Sequence, residues 1–279
     1  MNLKLSTAAA LAGLTAFACG AAPEQLNIRS ENTMITLSPK LFWNLNGITY
    51  RNQLIGRQDH GFYGTVIRYD VGWVGTGHLE NGIGEKELEL AFTRDGNPFT
   101  PTGENIECKS FTMTKRAKLH HAELIYTLKL ENDTLSESAQ LRFLKDQPLK
   151  IVYNFMHPWH HTFENFRLTS ADGKSADGIM PIEQKGKMLI FPRPQTASFY
   201  SEKFKLALFS TVTAEKNSPL GDWLFWNRGE QDRKMYFRPL NNRNVSAGEV
   251  MRWSMVTTFM NTDAETWKKI DLNKVNCVK

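Results

Sequence analysis

Residues 122–144 read AELIYTLKLENDTLSESAQLRFL, and this stretch decides the fold class. Apolar side chains recur at every second position of its first half, at Leu124, Tyr126, Leu128 and Leu130. A spacing of two places side chains on one face of a β-strand. Residues 131–133 are polar and favour a turn, after which the alternation resumes over residues 136–144. Two extended runs joined by a short polar turn predict an antiparallel hairpin.

The same pattern continues along most of the chain. Short runs rich in β-branched and aromatic residues alternate with turn signals such as Asp95-Gly96, two residue types that tolerate the positive φ of a tight hairpin. A helix is indicated over residues 263–270, with Asp263 as its N-cap. No linker composition divides the chain. The sequence therefore predicts an all-β fold with few helices, in which residues 23–279 form a single large antiparallel β-sandwich.

The first 18 residues have the three features of an export signal. Lys4 supplies a positive charge, residues 5–18 are apolar and uncharged, and Ala16-Phe17-Ala18 matches the small-x-small pattern of a cleavage site. A membrane-spanning helix needs about 20 apolar residues, and this stretch is shorter. We therefore expect residues 1–18 to be a signal peptide rather than a buried helix. The protein is then exported to the periplasm, the outer membrane or the extracellular space.

The three cysteines leave two questions open. Cys19 follows the cleavage site directly, where bacterial lipoproteins carry their lipidated residue, but Ala16 stands where Leu is usual in that signal. A lipid on Cys19 would be the only contact with a membrane that the sequence offers. Cys108 and Cys277 remain, and export permits a disulfide between them, while two free thiols fit the sequence as well.

The charge balance says little about partners. Removal of Lys4 lowers the formal net charge from +5 to +4, which is mildly basic. The chain has no run of five or more Lys or Arg residues, so nucleic acid is not indicated, and an acidic polymer is favoured only weakly. The oligomeric state is left open.

Two segments concentrate side chains suited to chemistry. Residues 156–161 read MHPWHH and contain three histidines. We expect the preceding strand to end at Phe155, because Pro158 cannot donate a hydrogen bond to a neighbouring strand. The histidines would then lie on a loop at the end of a sheet, where functional sites are commonly built.

The second segment is the glycine-rich stretch GWVGTGHLENG, residues 72–82. Its glycines give the backbone unusual freedom and permit close approach to a partner. His78 and Glu80 are two residues apart, so an extended chain places them on the same side, about 6.5–7 Å apart. That geometry suits a shared substrate or a shared metal ion.

The order of features resembles the large β-sandwich of galactose mutarotases and several polysaccharide lyases. Residues 41–55, LFWNLNGITYRNQLI, look like the opening strands of that superfamily, and residues 245–260, VSAGEVMRWSMVTTFM, are similar to its closing segment. The resemblance implies a supersandwich-like fold that acts on sugars. Mutarotase-like enzymes use a Glu base and a His acid, whereas sandwich-type lyases use His, Tyr, Asn and Arg, and neither pattern maps cleanly onto this chain.

The first hypothesis is that the two segments meet in one hollow and perform acid–base chemistry on a sugar, as a sugar epimerase or mutarotase-like enzyme or as a polysaccharide lyase. The candidate catalytic residues are His78, Glu80, His157 and His160. The candidate substrate-binding residues supply flat rings, polar groups, or cations for a uronate or sulfate, and they are Trp73, Asn81, Trp159, His161, Arg57, Arg68, Tyr63 and Arg193.

Two alternatives use the same residues differently. His and carboxylate side chains also suit a divalent metal ion, which would make the protein a metal-dependent hydrolase or lyase; beyond this divalent metal, the sequence indicates no cofactor. The second alternative is a non-catalytic carbohydrate-binding or cell-envelope structural protein, since fold does not fix function. A binding face would show aromatic rings and arginines without a close acid–base pair, so the relative positions of the His and Glu side chains separate these hypotheses.

Overall fold

A computed structural model of the protein describes residues 23–57, 64–79, 81 and 83–275. The expectations for residues 1–19, Tyr63, Glu80 and Cys277 lie outside the described residues. Within the described part of the chain, no helix is both long and apolar enough to cross a bilayer.

The described residues form 22 strands. In chain order they are β1 (Leu26–Ser30), β2 (Thr33–Ser38), β3 (Asn44–Tyr50), β4 (Gln53–Gly56), β5 (Val66–Tyr69), β6 (Gly72–Gly75), β7 (His78–Leu79), β8 (Glu85–Arg94), β9 (Asn97–Phe99), β10 (Asn105–Glu107), β11 (Ser110–Leu119), β12 (Ala122–Glu131), β13 (Thr134–Phe143), β14 (Gln147–Trp159), β15 (Asn165–Ser170), β16 (Ser175–Ile179), β17 (Met188–Pro192), β18 (Pro194–Ser201), β19 (Leu206–Ala214), β20 (Asp222–Asn227), β21 (Arg233–Val245) and β22 (Val250–Asn261). One α-helix, α1 (Ala264–Lys269), and the short 3-10 turns Pro39–Leu41 and Ile182–Gln184 complete the described elements.

The strands form two large sheets. Sheet A has twelve strands in the order β10-β1-β2-β3-β4-β14-β21-β20-β17, and β5 pairs with β14 and continues through β6 to β7. Sheet B has ten strands in the order β16-β15-β18-β19-β22-β13-β12-β11-β8-β9. The neighbouring strands are antiparallel except for the parallel pair β1–β10. The inner faces of both sheets supply one apolar core, so the predicted all-β sandwich with few helices is confirmed.

The hairpin predicted from residues 122–144 is present as β12 and β13. Its strands pair from Ala122↔Phe143 to Glu131↔Thr134. The two turn residues, Asn132 and Asp133, both have positive φ, at 46° and 61°. This backbone twist matches the right-handed twist of the flanking strands, and Asn and Asp adopt it at low cost.

Two other local predictions are confirmed. Asp95 and Gly96, with φ of 51° and 80°, form the turn between β8 and β9. Asp263 caps α1, because its side chain accepts a hydrogen bond from the backbone N–H of Thr266 at 2.7 Å.

The expected end of a strand at Phe155 is wrong, because β14 runs through Pro158 to Trp159. The carbonyl of Pro158 accepts a hydrogen bond from the N–H of Arg57, on the β4 side of β14. The amide N and carbonyl of a strand residue point to the same neighbouring strand. The N–H that Pro158 lacks would point toward β4. Its absence therefore breaks no hydrogen bond between β14 and β21, and β14 continues to Trp159.

Candidate functional site

The outer face of sheet A, turned away from the core, carries a row of aromatic rings. Along β20, Trp223 and Phe225 point into the core, whereas Leu224 and Trp226 point outward. The same alternation on β21 turns Tyr236 outward. These strands are apolar on both faces, so they have a second surface that can pack against something other than the core.

The rings of neighbouring strands lie close to one another. The Trp73 ring on β6 stacks on Tyr153 of β14, with centroids 5.7 Å apart and planes at 15°. Tyr153 in turn lies 4.8 Å from the ring of Tyr236 on β21. At the other side of Trp73, the His78 ring on β7 stacks at 6.0 Å and 29°. We call this row, together with Trp226, the aromatic face.

Cations lie beside the rings of the aromatic face. The Arg68 guanidinium is 5.4 Å from the centre of the Trp73 ring, the Lys234 ammonium is 5.3 Å from Tyr236, and Arg228 is 5.2 Å from Trp226. Such cation–ring contacts are attractive because the ring face carries partial negative charge. The aromatic face therefore combines flat apolar surface with positive charge.

Two acidic side chains offset part of this charge. Asp222 forms an ion pair with Arg238 at 2.6 Å, and Asp232 forms one with Arg228 at 3.2 Å.

Lys234 differs from the other cations because its side chain is almost completely buried, with 4% exposed. Burial lowers its pKa from 10.5 to about 8, with a smaller lowering by the nearby Arg228, and Asp232 acts in the opposite direction. At neutral pH, Lys234 therefore carries a charge in a poorly hydrated position. A cation in such a position interacts strongly with an anion that comes close.

The neighbouring strands β5, β6 and β7 place three of the predicted residues on or beside the aromatic face. Trp73 and His78 are both on it, and Arg68 of β5 lies opposite Trp73 in the strand pairing. Asn81 is exposed next to the hairpin, and its side-chain amide donates a hydrogen bond to the carbonyl of Val71. The structure thus brings Trp73, His78 and Arg68 together.

His157 does not reach this face, which corrects the expected convergence with His78. Its side chain is fully buried on the core side of β14, and its Nε2 lies 2.6 Å from Oε2 of Glu137 in sheet B. Oε1 of the same carboxylate accepts a hydrogen bond from the Tyr126 hydroxyl at 2.6 Å. The residues of β14 that point outward are Tyr153 and Met156.

Trp159 is also enclosed, at 0% exposed, with its ring against those of Phe163 and Phe259. The expectation that it offers a platform to a sugar ring is therefore corrected, because the ring is part of the core. Its position two residues after His157 on the same strand explains why both side chains point inward.

His160 and His161 form a second group with Arg57, at the end of β14. The two imidazole rings are 4.2 Å apart, and His160 lies 5.0 Å from the ring of Phe204. Burial, together with the nearby His161 ring and the positive charges of Lys203 and Arg57, lowers the pKa of His160 to about 4, which leaves its ring neutral at pH 7. Burial and neighbouring cations also lower the pKa of His161.

Arg193 belongs to neither group. It is exposed, in the turn between β17 and β18, with φ of 52°. Its backbone N–H donates to Gly221, and its carbonyl accepts from Ala171. In the described ranges, no group of three or more His, Cys, Asp or Glu side chains is arranged to hold a metal ion.

Most of the aromatic face was not predicted from the sequence. The residues on or beside it that were not expected to bind a ligand are Tyr153, Trp226, Arg228, Lys234, Tyr236 and Arg238. The available signal was that residues 222–226, DWLFW, and 234–238, KMYFR, place apolar or aromatic side chains on both faces of a strand. A strand with two apolar faces indicates that its outer face is also covered or binds a partner.

Comparison with known proteins supports the fold. The sequence matches no family model, and no curated protein matches it in sequence. Among solved structures, Slr1438 from Synechocystis sp. PCC 6803 has a TM-score of 0.57 at 9% identity, over 88% of this chain and 99% of that one. A putative aldose 1-epimerase from Escherichia coli K12 has a TM-score of 0.52 at 8% identity, over 85% and 98% of the two chains.

A galactose mutarotase related enzyme from Lactobacillus acidophilus has a TM-score of 0.51 at 9% identity, over 86% of this chain and 98% of that one. Identities this low establish the shape of the fold and nothing finer. The chain therefore has a galactose mutarotase-like β-sandwich fold, and its chemistry has to be argued from its own side chains.

Proposed function

We propose that the protein binds carbohydrate on the aromatic face, and that its ligand is a sugar that carries negative charge, such as a uronate or a sulfated sugar. The single observation that carries this proposal is the row His78–Trp73–Tyr153–Tyr236 with the cations Arg68 and Lys234 against its rings. Flat aromatic rings pack against the apolar C–H faces of sugar rings. Guanidinium and ammonium groups provide donors for carboxylate or sulfate oxygens.

The position of these rings distinguishes them from ordinary core packing. Trp73, Tyr153 and Trp226 are only partly buried, although they belong to a cluster that is separate from the sandwich core. Aromatic side chains left partly exposed in a contiguous group are typical of binding surfaces. The fold neighbours that are described as a putative aldose 1-epimerase and a galactose mutarotase related enzyme support a sugar as the class of ligand.

A sugar epimerase is the second candidate function. It is favoured by His78, whose imidazole is a side chain of the type that serves as general acid or base and whose ring stacks on Trp73 within the aromatic face. Because His157 is enclosed in the core with Glu137, the acid–base pair for such a reaction would have to come from His78 and another group on the same face. Carbohydrate binding requires no second acid–base group, so we prefer the binding function to the epimerase function.

The binding proposal is tested by isothermal titration calorimetry with short oligosaccharides of galacturonate and their neutral galactose counterparts. We expect the acidic oligosaccharide to bind and the neutral one to bind at least tenfold more weakly. Arg68→Gln is expected to reduce the affinity for the acidic ligand about tenfold, a typical effect of losing a charge-assisted contact. Arg252→Gln is the matched control, because Arg252 is an exposed cation on sheet B that pairs with Glu215. Equal binding of both ligands, or equal effects of both variants, would contradict the proposal.

The epimerase candidate is tested by following the interconversion of sugar anomers by NMR exchange spectroscopy. Wild-type protein should accelerate the exchange, and His78→Ala should abolish the acceleration even at sugar concentrations that saturate the variant. If wild-type protein binds the sugar but does not accelerate the exchange of its anomers, the epimerase candidate is refuted and the binding function stands.

We also propose that the protein is exported, on the basis of residues 1–18. The test is mass spectrometry of the protein recovered from a Gram-negative host that expresses the full chain. Export predicts a mature N-terminus at Cys19, with added acyl mass if Cys19 is lipidated. An intact N-terminus in the cytoplasmic fraction would contradict the proposal.

A further inference from the structure

A row of buried polar side chains lies in the core beneath the aromatic face. Lys115 occupies a core-facing position of β11 and is 0% exposed. Its Nζ lies 2.6 Å from Oε1 of Glu85, which is also buried. The same ammonium group donates hydrogen bonds to the carbonyl of Phe42 at 2.7 Å and to Oδ1 of Asn44 at 3.0 Å. The charge of Lys115 is therefore fully satisfied inside the protein.

The second carboxylate oxygen of Glu85 reaches the other sheet. Its Oε2 accepts a hydrogen bond from the backbone N–H of Thr76 at 3.1 Å. Thr76 lies in the turn between β6 and β7, where Gly75, Thr76 and Gly77 have φ of 112°, 49° and 85°. Gly75 and Gly77 adopt positive φ without steric cost, whereas Thr76 is β-branched and adopts it at a cost that a hydrogen bond to its N–H offsets. Glu85 supplies that contact.

The row of buried polar side chains continues from Lys115 to the histidine-rich segment, residues 156–161. The Lys115 ammonium is 5.9 Å from the centre of the Tyr126 ring, and the hydroxyl of Tyr126 donates to Glu137, which is bonded to His157. His157 lies on β14, whose outer side carries Tyr153. The glycine-rich segment and the histidine-rich segment are thus linked from inside the sandwich rather than in a common hollow.

We propose that Glu85 is a positioning residue for the aromatic face. Its carboxylate, held by Lys115, fixes the N–H of Thr76 and with it the orientation of Trp73 and His78 on the strands that flank the turn. This inference rests on the proposed binding function. Replacing a buried ion pair by apolar residues of similar volume is often neutral or stabilising, so stability alone does not explain the Lys115–Glu85 pair. What an apolar side chain does not provide is an acceptor for Thr76.

Two double variants separate this role from plain stability. Lys115→Met/Glu85→Gln, the amide variant, and Lys115→Met/Glu85→Leu, the apolar variant, both remove the buried charges. The amide variant keeps a side-chain oxygen for Thr76, whereas the apolar variant leaves that N–H without a side-chain acceptor. Because both variants replace the ion pair with neutral side chains of similar size, they match each other as controls.

The first measurement needs no ligand. Hydrogen exchange of residues 72–79, followed by mass spectrometry, is expected to be near wild type for the amide variant and about tenfold faster for the apolar variant. Exchange in β12 and β13 should be the same in both. Equal exchange of residues 72–79 in the two variants would overturn the positioning role.

The second measurement is the affinity for the galacturonate oligosaccharide. We expect the apolar variant to bind about tenfold more weakly than the amide variant, which should bind like wild type. If wild-type protein binds no acidic sugar, the proposed function fails while the exchange result still decides the role of Glu85. If wild type binds and both variants bind equally, the positioning role fails and the proposed function stands.

Discussion

The substitution Lys234→Met probes the aromatic face through its most buried cation. The pKa of Lys234 falls from 10.5 to about 8, mainly because of burial. A fall of about 2.5 in the pKa corresponds to about 3 kcal/mol of cost for keeping this side chain charged in the folded protein. Loss of the contact with the Tyr236 ring removes about 1 kcal/mol of stabilisation. The variant should therefore be about 2 kcal/mol more stable than wild type at pH 7.

The pH dependence of this gain has a definite direction. Below pH 8, Lys234 is charged in both the folded and the unfolded protein, so the folded state carries the full cost. Between pH 8 and 10.5, the folded protein releases the proton while the unfolded chain still holds it, and the stability of wild type rises with pH. The advantage of the variant should thus shrink by about 2 kcal/mol between about pH 7 and about pH 9.5.

Urea unfolding of wild type and Lys234→Met at these two pH values measures both effects. Lys150→Met is the control, because it removes a solvent-exposed lysine that is paired with Asp70 at the surface rather than a buried one. The same Lys234→Met protein should lose affinity for the acidic sugar. Destabilisation by Lys234→Met at pH 7, or a gain that is the same at both pH values, would refute the reasoning.

Three further predictions concern the frame that carries the site. Gly221→Ala should destabilise the protein by more than about 2 kcal/mol, since the Cβ of the new alanine would overlap the carbonyl oxygen of Arg238. Gly248→Ala is the control, because no atom lies near the new Cβ, and it should cost about 1 kcal/mol. Equal urea midpoints for the two variants would contradict this prediction. His157→Leu should cost about 3 kcal/mol or more, because it leaves Oε2 of the buried Glu137 carboxylate without its His157 partner, and an unchanged melting temperature would argue against their pairing. Asp263→Ala should cost about 1 kcal/mol and speed hydrogen exchange in α1, and unchanged exchange there would exclude its capping role.

The local elements could be predicted from the sequence, because strand alternation and turn chemistry act over a few residues. Alternation along β12 identified its inner face, and Asp95-Gly96 identified a turn. The end of β14 could not be predicted in this way. The backbone N of Pro158 points toward β4, so the proline removes no hydrogen bond between β14 and β21. Which neighbouring strand a residue faces cannot be read from the sequence of one segment.

The candidate site was harder to predict for two physical reasons. Where a strand is apolar on both sides, as in residues 222–226, alternation does not say which side faces the core. The role of His157 depends on Glu137, which lies on the opposite sheet, and sequence spacing carries no signal of that contact. Trp73 and His78 were correctly placed in one segment, because they are neighbours within a single hairpin.

The most direct test of the account is an NMR titration of the tryptophan indole N–H signals with a galacturonate oligosaccharide. The chain has seven tryptophans, and each signal can be assigned by a Trp→Phe variant. Binding on the aromatic face predicts large shifts for Trp73 and Trp226, with the buried Trp159 and Trp253 nearly unchanged. Saturable binding that leaves Trp73 and Trp226 unshifted would contradict the central claim.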